Sequence, residues 1–334
     1  MRPFAYTKAT TPSEAVQAIT SAGHGTRFLS GGTTLFDLMK LNVETPAAIV
    51  DVNAIDELSD FDTSGSDELV FGALARMSDV AADARLIHEY PALSESLWRA
   101  ASQQLRNMAS VGGNLLQRTR CEYFRNGEPF ACNKRKPGSG CAAIDGIDRG
   151  HAVLGGSSSC IATYPGDWAI ALVAFDAVID VLGPKGTRTI PVEQLHREPG
   201  DTPHIEHVLE HDELILRIRV PTTSLGRAST FHKIRDRESY AFALASAAVA
   251  IELAGDMVKN ARIAIGGLAT RPWRAHAAET ELVGKRLTED SALITGRAAL
   301  DGAKPGRSNG FRIELGARTV ADALMIAKQR AMHV

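Results

Sequence analysis

Two glycine pairs dominate what this chain can become: Gly31-Gly32 in "SGGTT" (residues 30–34) and Gly112-Gly113 in "SVGGN" (residues 110–114). The first follows directly on a short apolar stretch of strand character, and the second follows a stretch of helical character. Glycine has no Cβ, so at both places the backbone can approach a ligand closely and present consecutive N–H groups. Ser30, Thr33, Thr34, Ser110 and Asn114 add short hydroxyl or amide donors suited to a pyrophosphate. Taken singly, each pair is also compatible with an ordinary tight turn. Neither fits G-x-G-x-x-G or a P-loop, so a Rossmann or nucleoside-triphosphatase site has no support.

Around the pairs the chain alternates between strand and helix patterns. Thr11-Pro12-Ser13-Glu14 reads as a helix start, with Thr11 as cap, Pro12 in the first turn and Glu14 completing a capping box; Gly23 marks the end. "TRFL" and "AAIVDVNAI" read as strands, which makes the first unit strand-helix-strand. "LVFGALARMSDVAADARLI" predicts a strand and then a helix capped at Ser78, and "ALSESLWRAASQQLRNMASVGGNLL" predicts one long helix running into the second glycine pair. "GDWAIALVAFDAVIDVLG" reads as helix then strand, and "DELILRIRVP" as a strand stopped by Pro221. From about Phe231 the pattern changes to strands in "STFHKIRD" and "ARIAIGGLA", with small-residue helices expected in "AFALASAAVAIEL", "RAALDGA" and "VADALMIAKQRA". A separate α+β C-terminal domain follows from that change.

With 334 residues, 44% apolar and 23% charged, the chain can build real cores and is not expected to be disordered. A formal net charge of -2 gives no general attraction for nucleic acid or anionic lipid, so neither is expected as a partner. The opening "MRPFAYTKATTPSEAVQAI" has neither a basic head with an apolar core nor a twin-arginine pair, and no secretory signal is expected. The most apolar stretch, "WAIALVAFDAVIDVLG", is broken by Asp176 and Asp180, so no membrane insertion is expected either.

As a pair, "FLSGGTTL" and "NMASVGGNLL" resemble the two pyrophosphate motifs of the flavoprotein subunits of the molybdenum hydroxylases, the xanthine dehydrogenase and carbon monoxide dehydrogenase family. Further landmarks follow in family order: "YPGDWAIALVAFDAVI", "ELILRIRVP" and "FHKIRDRESYAFALASAAVAI". The resemblance implies an α+β protein. It would have a two-part FAD-binding α/β domain of vanillyl-alcohol oxidase type at 1–60 and 61–224, and a CO dehydrogenase flavoprotein-type C-terminal domain at 225–334. It implies FAD, held by Phe28, Leu29, Ser30, Gly31, Gly32, Thr33, Thr34 and Leu35 in the first motif and by Ser110, Val111, Gly112, Gly113 and Asn114 in the second. Ala100, Asp167, Ile215 and Lys233 match further cofactor neighbours, with Lys233 placed to stabilise negative charge on reduced flavin. Tyr164-Pro165-Gly166-Asp167 departs from the family pattern, in which a serine precedes the aspartate.

Cys121, Cys132, Cys141 and Cys160, the only cysteines, are confined to residues 121–160. Disulfides suit a chain without a secretory signal poorly. Intervening lengths of ten, eight and eighteen residues lack the C-x-x-C knuckles of structural zinc sites. Unligated thiols and a 4Fe-4S cluster with one thiolate per iron complete the alternatives. Position favours the cluster, because residues 117–160 stand where ordinary members of the family pass almost directly from the second glycine motif to the aspartate segment. Such an insertion is similar to the cluster-bearing loop in the flavin subunits of bacterial periplasmic aldehyde oxidoreductases and, arranged differently, of 4-hydroxybenzoyl-CoA reductase. Arg118, Arg120, Arg125, Lys134, Arg135 and Lys136 are expected to offset the cluster's charge or to dock an acidic partner face.

The function implied by the resemblance is electron transfer within a heterotrimer. A large molybdenum-cofactor subunit would oxidise an aldehyde, a small 2Fe-2S subunit would relay the electrons, and this chain's FAD would pass them to an external acceptor. No catalytic residue of substrate oxidation is expected here. A self-contained flavin oxidase of vanillyl-alcohol oxidase type and a xanthine dehydrogenase-like or 4-hydroxybenzoyl-CoA reductase-like subunit are the competing readings. Residence in the periplasm by co-export with a partner, or in the cytoplasm, is compatible with the absence of a signal.

Overall fold

The computed structural model describes residues 1–332 and arranges the strands in three sheets. Strands β1 (Ala5–Lys8), β2 (Thr26–Leu29) and β3 (Ala48–Asp51) form a parallel sheet in the order β1-β3-β2. Val50 on the central strand pairs with Thr7 on one side and Phe28 on the other. The connecting helix Pro12–Ala22 buries Ala15, Val16 and Ile19 against Val50, Val52 and Ile55. Thr11 Oγ1 accepts from the Glu14 amide at 3.2 Å, and Gly23 ends the helix at a positive φ, both as the sequence predicts. The reciprocal half of the box is displaced by one residue, because the Glu14 carboxylate takes the amide and hydroxyl of Thr10. Strand β1 left no hydrophobic pattern to read, since all four of its residues are exposed.

Strands β4 (Phe61–Asp62), β5 (Glu68–Gly72), β6 (Val178–Gly183), β7 (Gly186–Pro191) and β8 (Leu214–Pro221) form an antiparallel sheet in the order β4-β5-β8-β6-β7. Helix Trp168–Ala174 is buried along its whole length beside it, with the Trp168 ring edge-on to Phe71 at 5.6 Å. Two expectations for residues 77–115 do not hold. Ser78 lies inside helix Met77–Ala81 and does not cap it; the next helix, Ala84–Glu89, starts on Asp83, whose carboxylate accepts from the Leu86 amide at 2.9 Å. The expected long helix is three short ones: Pro91–Trp98, Gln103–Arg106 and Val111–Leu115. The first break comes at Ala101, which adopts φ 50°, and at Ser102, whose hydroxyl accepts from the Leu105 amide and starts a new helix.

Strands β9 (Ser229–Ile234), β10 (Ala245–Ala254), β11 (Met257–Gly266) and β12 (Trp273–Arg274) form the third sheet, antiparallel, in the order β12-β11-β10-β9. The alanine-rich stretch expected to be helical is therefore β10. Ala245, Ala247, Val249 and Ile251 face a core that includes Val320 and Leu324 of helix Phe311–Ala331, whereas Ala248 and Ala250 face the core that holds Trp168. The helical preference of alanine, within about 0.7 kcal/mol of most residues, is outweighed by burial on both faces, and the small side chains let helices lie close on either side. Of the other two expected helices, "VADALMIAKQRA" lies within Phe311–Ala331, but "RAALDGA" only overlaps the end of Glu289–Ala298.

Candidate functional site

The two glycine segments, far apart in sequence, meet. Residues 30–34 leave the end of β2 and enter helix Leu35–Lys40, while Ser110 caps helix Val111–Leu115 by accepting the Gly113 amide at 3.2 Å. The second pair is therefore the first turn of a helix rather than a free turn. Ser30 Oγ and Ser110 Oγ share a hydrogen bond of 2.9 Å that joins the two segments. A Cβ on Gly31 would run into the Met108 carbonyl, and one on Gly112 would lie 2.8 Å from the Ala73 side chain, so both glycines are needed for the segments to close on their neighbours. Gly32 has φ +71°, a left-handed conformation that L side chains adopt at a cost. Among the described residues, no backbone acceptor pairs with the amides of Gly31, Gly32 or Thr33. The Asn114 side-chain oxygen is buried without a partner. Free amides on a glycine cradle, bordered by small hydroxyls, fit the pyrophosphate of FAD.

Asp167 and Lys233 form a fully buried ion pair at 2.6 Å. Lys233 Nζ also donates to the Arg99 carbonyl at 3.1 Å, next to the buried Ala100, so three of the four further cofactor candidates lie together. Burial raises the Asp167 carboxyl above its ordinary range, and the Lys233 ammonium works against that rise. Ile215 is a buried residue of β8 in the same core as Trp168. The departure at Gly166 has a steric cause, because a side chain there would strike the Tyr164 ring, whose hydroxyl donates to the Leu115 carbonyl at 3.1 Å.

The four cysteines also converge, and all are free thiols. Cys132 and Cys141 face each other across an isolated antiparallel bridge, and Cys141 and Cys160 lie near enough for each thiol to shift the other's titration. Cys121 lies close enough to Cys132 and Cys141 to feel their charge. The Ala162 amide donates to the Cys160 sulfur at 3.5 Å, and the backbone amides of Phe124 and Tyr123 favour the thiolate of Cys121, those of Ala143, Ile144 and Ile161 that of Cys141. Burial pushes the Cys121 thiol up to about 11. The Cys160 thiol and then the amides lower Cys141, while the Cys141 thiol and burial raise Cys160. Among the described residues no three His, Cys, Asp or Glu side chains close on a point as one zinc ion requires. Four free thiols with backbone amides that favour thiolate supply the donor chemistry an iron-sulfur cluster takes.

Most of the basic residues of the insertion find partners within the chain. Arg118 pairs with Glu44 and, at 2.6 Å, with Glu206; Lys134 pairs with Glu206 at 2.7 Å. Asp37 takes both Arg120 and Arg125, at 3.2 and 2.7 Å. Arg135 donates to the carbonyls of Tyr123, Phe124, Gly127 and Phe130. Arg118, Arg120, Arg125, Lys134 and Arg135 thus meet carboxylates or carbonyls of this chain, and the Lys134 ammonium also favours the thiolate of Cys160. Asp37 and Leu38, on the helix that follows the first glycine pair, hold the insertion from the other side: Leu38 packs with Phe124 and Cys132. Sequence reasoning missed Asp37, His151 and Arg312 in this region, because nothing local in the sequence distinguishes them.

Two family models match the chain in succession. Residues 2–223 match the FAD binding domain in molybdopterin dehydrogenase, and residues 229–326 match the CO dehydrogenase flavoprotein C-terminal domain. This chain is an FAD-binding medium subunit of the molybdenum hydroxylase family. The subunit is 43% identical to the aldehyde oxidoreductase FAD-binding subunit PaoB of Escherichia coli strain K12, over 99% of this chain and 100% of that one. It is 26% identical to the carbon monoxide dehydrogenase medium chain of Hydrogenophaga pseudoflava, over 89% of this chain and 86% of the other. Its fold matches the structure of carbon monoxide dehydrogenase from that organism with a TM-score of 0.77 at 25% identity, covering 99% of each chain. The expected fold class and the expected assignment to an oxidoreductase subunit both hold for it.

Proposed function

We propose that this chain is the electron-transfer subunit of a heterotrimeric molybdenum-dependent aldehyde oxidoreductase and carries both FAD and a 4Fe-4S cluster. The reading rests on two built sites one helix apart. One is the pair of glycine segments joined through Ser30 and Ser110; the other is the set of four free cysteines reached through Leu38. Residues 30–34 and 110–114 hold the pyrophosphate, and Ala100, Asp167, Ile215 and Lys233 border the flavin. Cys121, Cys132, Cys141 and Cys160 each give one thiolate to the cluster. FAD supplies a carrier that takes electrons singly and releases them one or two at a time.

The aldehyde reacts in a large partner subunit, and electrons arrive through the 2Fe-2S clusters of a small one. The relative named as an aldehyde oxidoreductase subunit supports the substrate class, and the relatives named as medium chains support assembly with other subunits. The acceptor is external to this chain. A self-contained oxidase would need a free base beside the ring, whereas the buried carboxylate there is taken up by Lys233. The purified protein should show flavin absorption bands over a broad iron-sulfur shoulder. Flavin without iron overturns the cluster, and iron without flavin overturns the electron-transfer role.

A further inference from the structure

His151 belongs to none of the motifs above, yet its Nε2 lies 3.2 Å from Cys121 Sγ. The side chain is buried, and its other ring nitrogen, Nδ1, has no partner. The backbone beneath the ring is fixed from three directions. The His151 amide donates to the Asp148 carbonyl at 2.8 Å, and the His151 carbonyl accepts from Arg312 Nη1 at 2.7 Å and Asn309 Nδ2 at 3.3 Å. Tyr123, two residues beyond Cys121, has its ring 6.2 Å from the imidazole.

We propose that His151 is a positioning residue that donates a hydrogen bond from Nε2 to the Cys121 sulfur and thereby raises the reduction potential of the cluster. The inference rests on the cluster reading above. A thiolate bound to iron carries no proton and can only accept, so Nε2 must carry the hydrogen. Nδ1 is then bare, and a bare ring nitrogen in a buried setting leaves no donor unsatisfied. A donor at a cluster sulfur stabilises the more electron-rich reduced form over the oxidised one, which moves the potential upward. The backbone amides at the other sulfurs act in the same sense, but His151 is the one side chain whose ring nitrogen reaches a cysteine sulfur among the described residues. It is also held by Arg312 from the C-terminal domain, so the donor at Cys121 is oriented from outside the insertion.

The test uses the purified heterotrimer, with potentials read by redox titration under EPR and with iron and labile sulfide measured on each preparation. His151→Met removes the donor at similar volume and should shift the cluster midpoint to lower potential, leaving the flavin midpoint unchanged. His151→Gln places an amide donor near the Nε2 position and should return the cluster midpoint towards wild type. Equal shifts in the two variants, or no shift in a fully loaded His151→Met protein, overturn the inference. Pulsed EPR of the reduced wild-type protein grown with ¹⁵N-imidazole histidine does not depend on any variant; a ¹⁵N coupling to the cluster supports the bond, and its absence overturns it. A wild-type preparation with flavin but no iron overturns the parent reading instead, so the two failures are distinguishable.

Discussion

Gly32 joins two constraints that only glycine meets, a φ of +71° and a Phe36 ring that would sit 2.6 Å from any Cβ. Gly32→Val should therefore yield protein without flavin, read as the ratio of 450 nm to 280 nm absorbance, while iron content stays near wild type. Retained flavin in that variant would show that the turn does not hold the cofactor. Cys132→Ser should do the reverse, removing iron and leaving most of the flavin, because the link between the glycine segments runs through Ser30 and Ser110 and not through any cysteine. Full iron in Cys132→Ser would mean that the ligand set is wrong. Glycines and cysteines were legible in the sequence because their chemistry follows from residue type alone, the missing Cβ in one case and the thiol in the other. Arginine and lysine were not, because a cation's role depends on its partner. For Arg120 and Arg125 that partner is Asp37, more than 80 residues away.

The failures at the level of elements have two causes, burial that overrides a local preference and local turn or cap geometry that the hydrophobic pattern does not announce. β10 is a strand of helix-forming alanines because both its faces are covered, and the helix expected before the second glycine pair breaks because Ala101 and Ser102 turn the chain. Elements with a strong pattern of their own, such as helix Pro12–Ala22 and strand β8, stand where the sequence puts them. The C-terminus of the second glycine helix has a further support that no pattern announces. His196 Nε2 lies 2.8 Å from the Leu115 carbonyl in a buried setting, and burial holds the imidazole down to about 4 from an ordinary 6.5. The unfolded chain takes up that proton near pH 6.5 and the folded chain near 4. Stability is therefore complete above about pH 6.5 and falls as pH drops towards 4, by about 3 kcal/mol over the full window. His196→Gln keeps a donor for Leu115 without titrating, so its Tm should fall less than that of wild type between pH 7 and pH 5. Parallel Tm profiles would remove His196 from the acid sensitivity of the fold.

For the whole molecule, the order of landmarks along the chain was legible, and the contacts that fasten one part to another were not. Those contacts are buried or partly buried polar links between distant segments: Glu95 to Thr230, Phe231 and Arg330, Arg274 to Asp176 and the Val173 carbonyl, and above all Arg312. Arg312 is fully buried on helix Phe311–Ala331, and its guanidinium donates to the carbonyls of His151, Leu244 and Gly267. One side chain thus ties the cysteine insertion to the approach to β10 and to the turn after β11. Burial lowers the guanidinium to about 10, which still leaves it charged at neutral pH. Arg312→Met would strand the Leu244 and Gly267 carbonyls, each costing about 1–3 kcal/mol, and leave the His151 carbonyl only its Asn309 donor, so a loss of at least ~2 kcal/mol in urea unfolding is expected. Arg312→Lys should recover only a minor part, because one ammonium cannot span three acceptors that a planar guanidinium reaches together. Since the His151 carbonyl is one of the three, the cluster midpoint of Arg312→Lys should also move to lower potential, whereas a stable Arg312→Lys protein with the wild-type midpoint would show that neither the fold nor His151 depends on the fork.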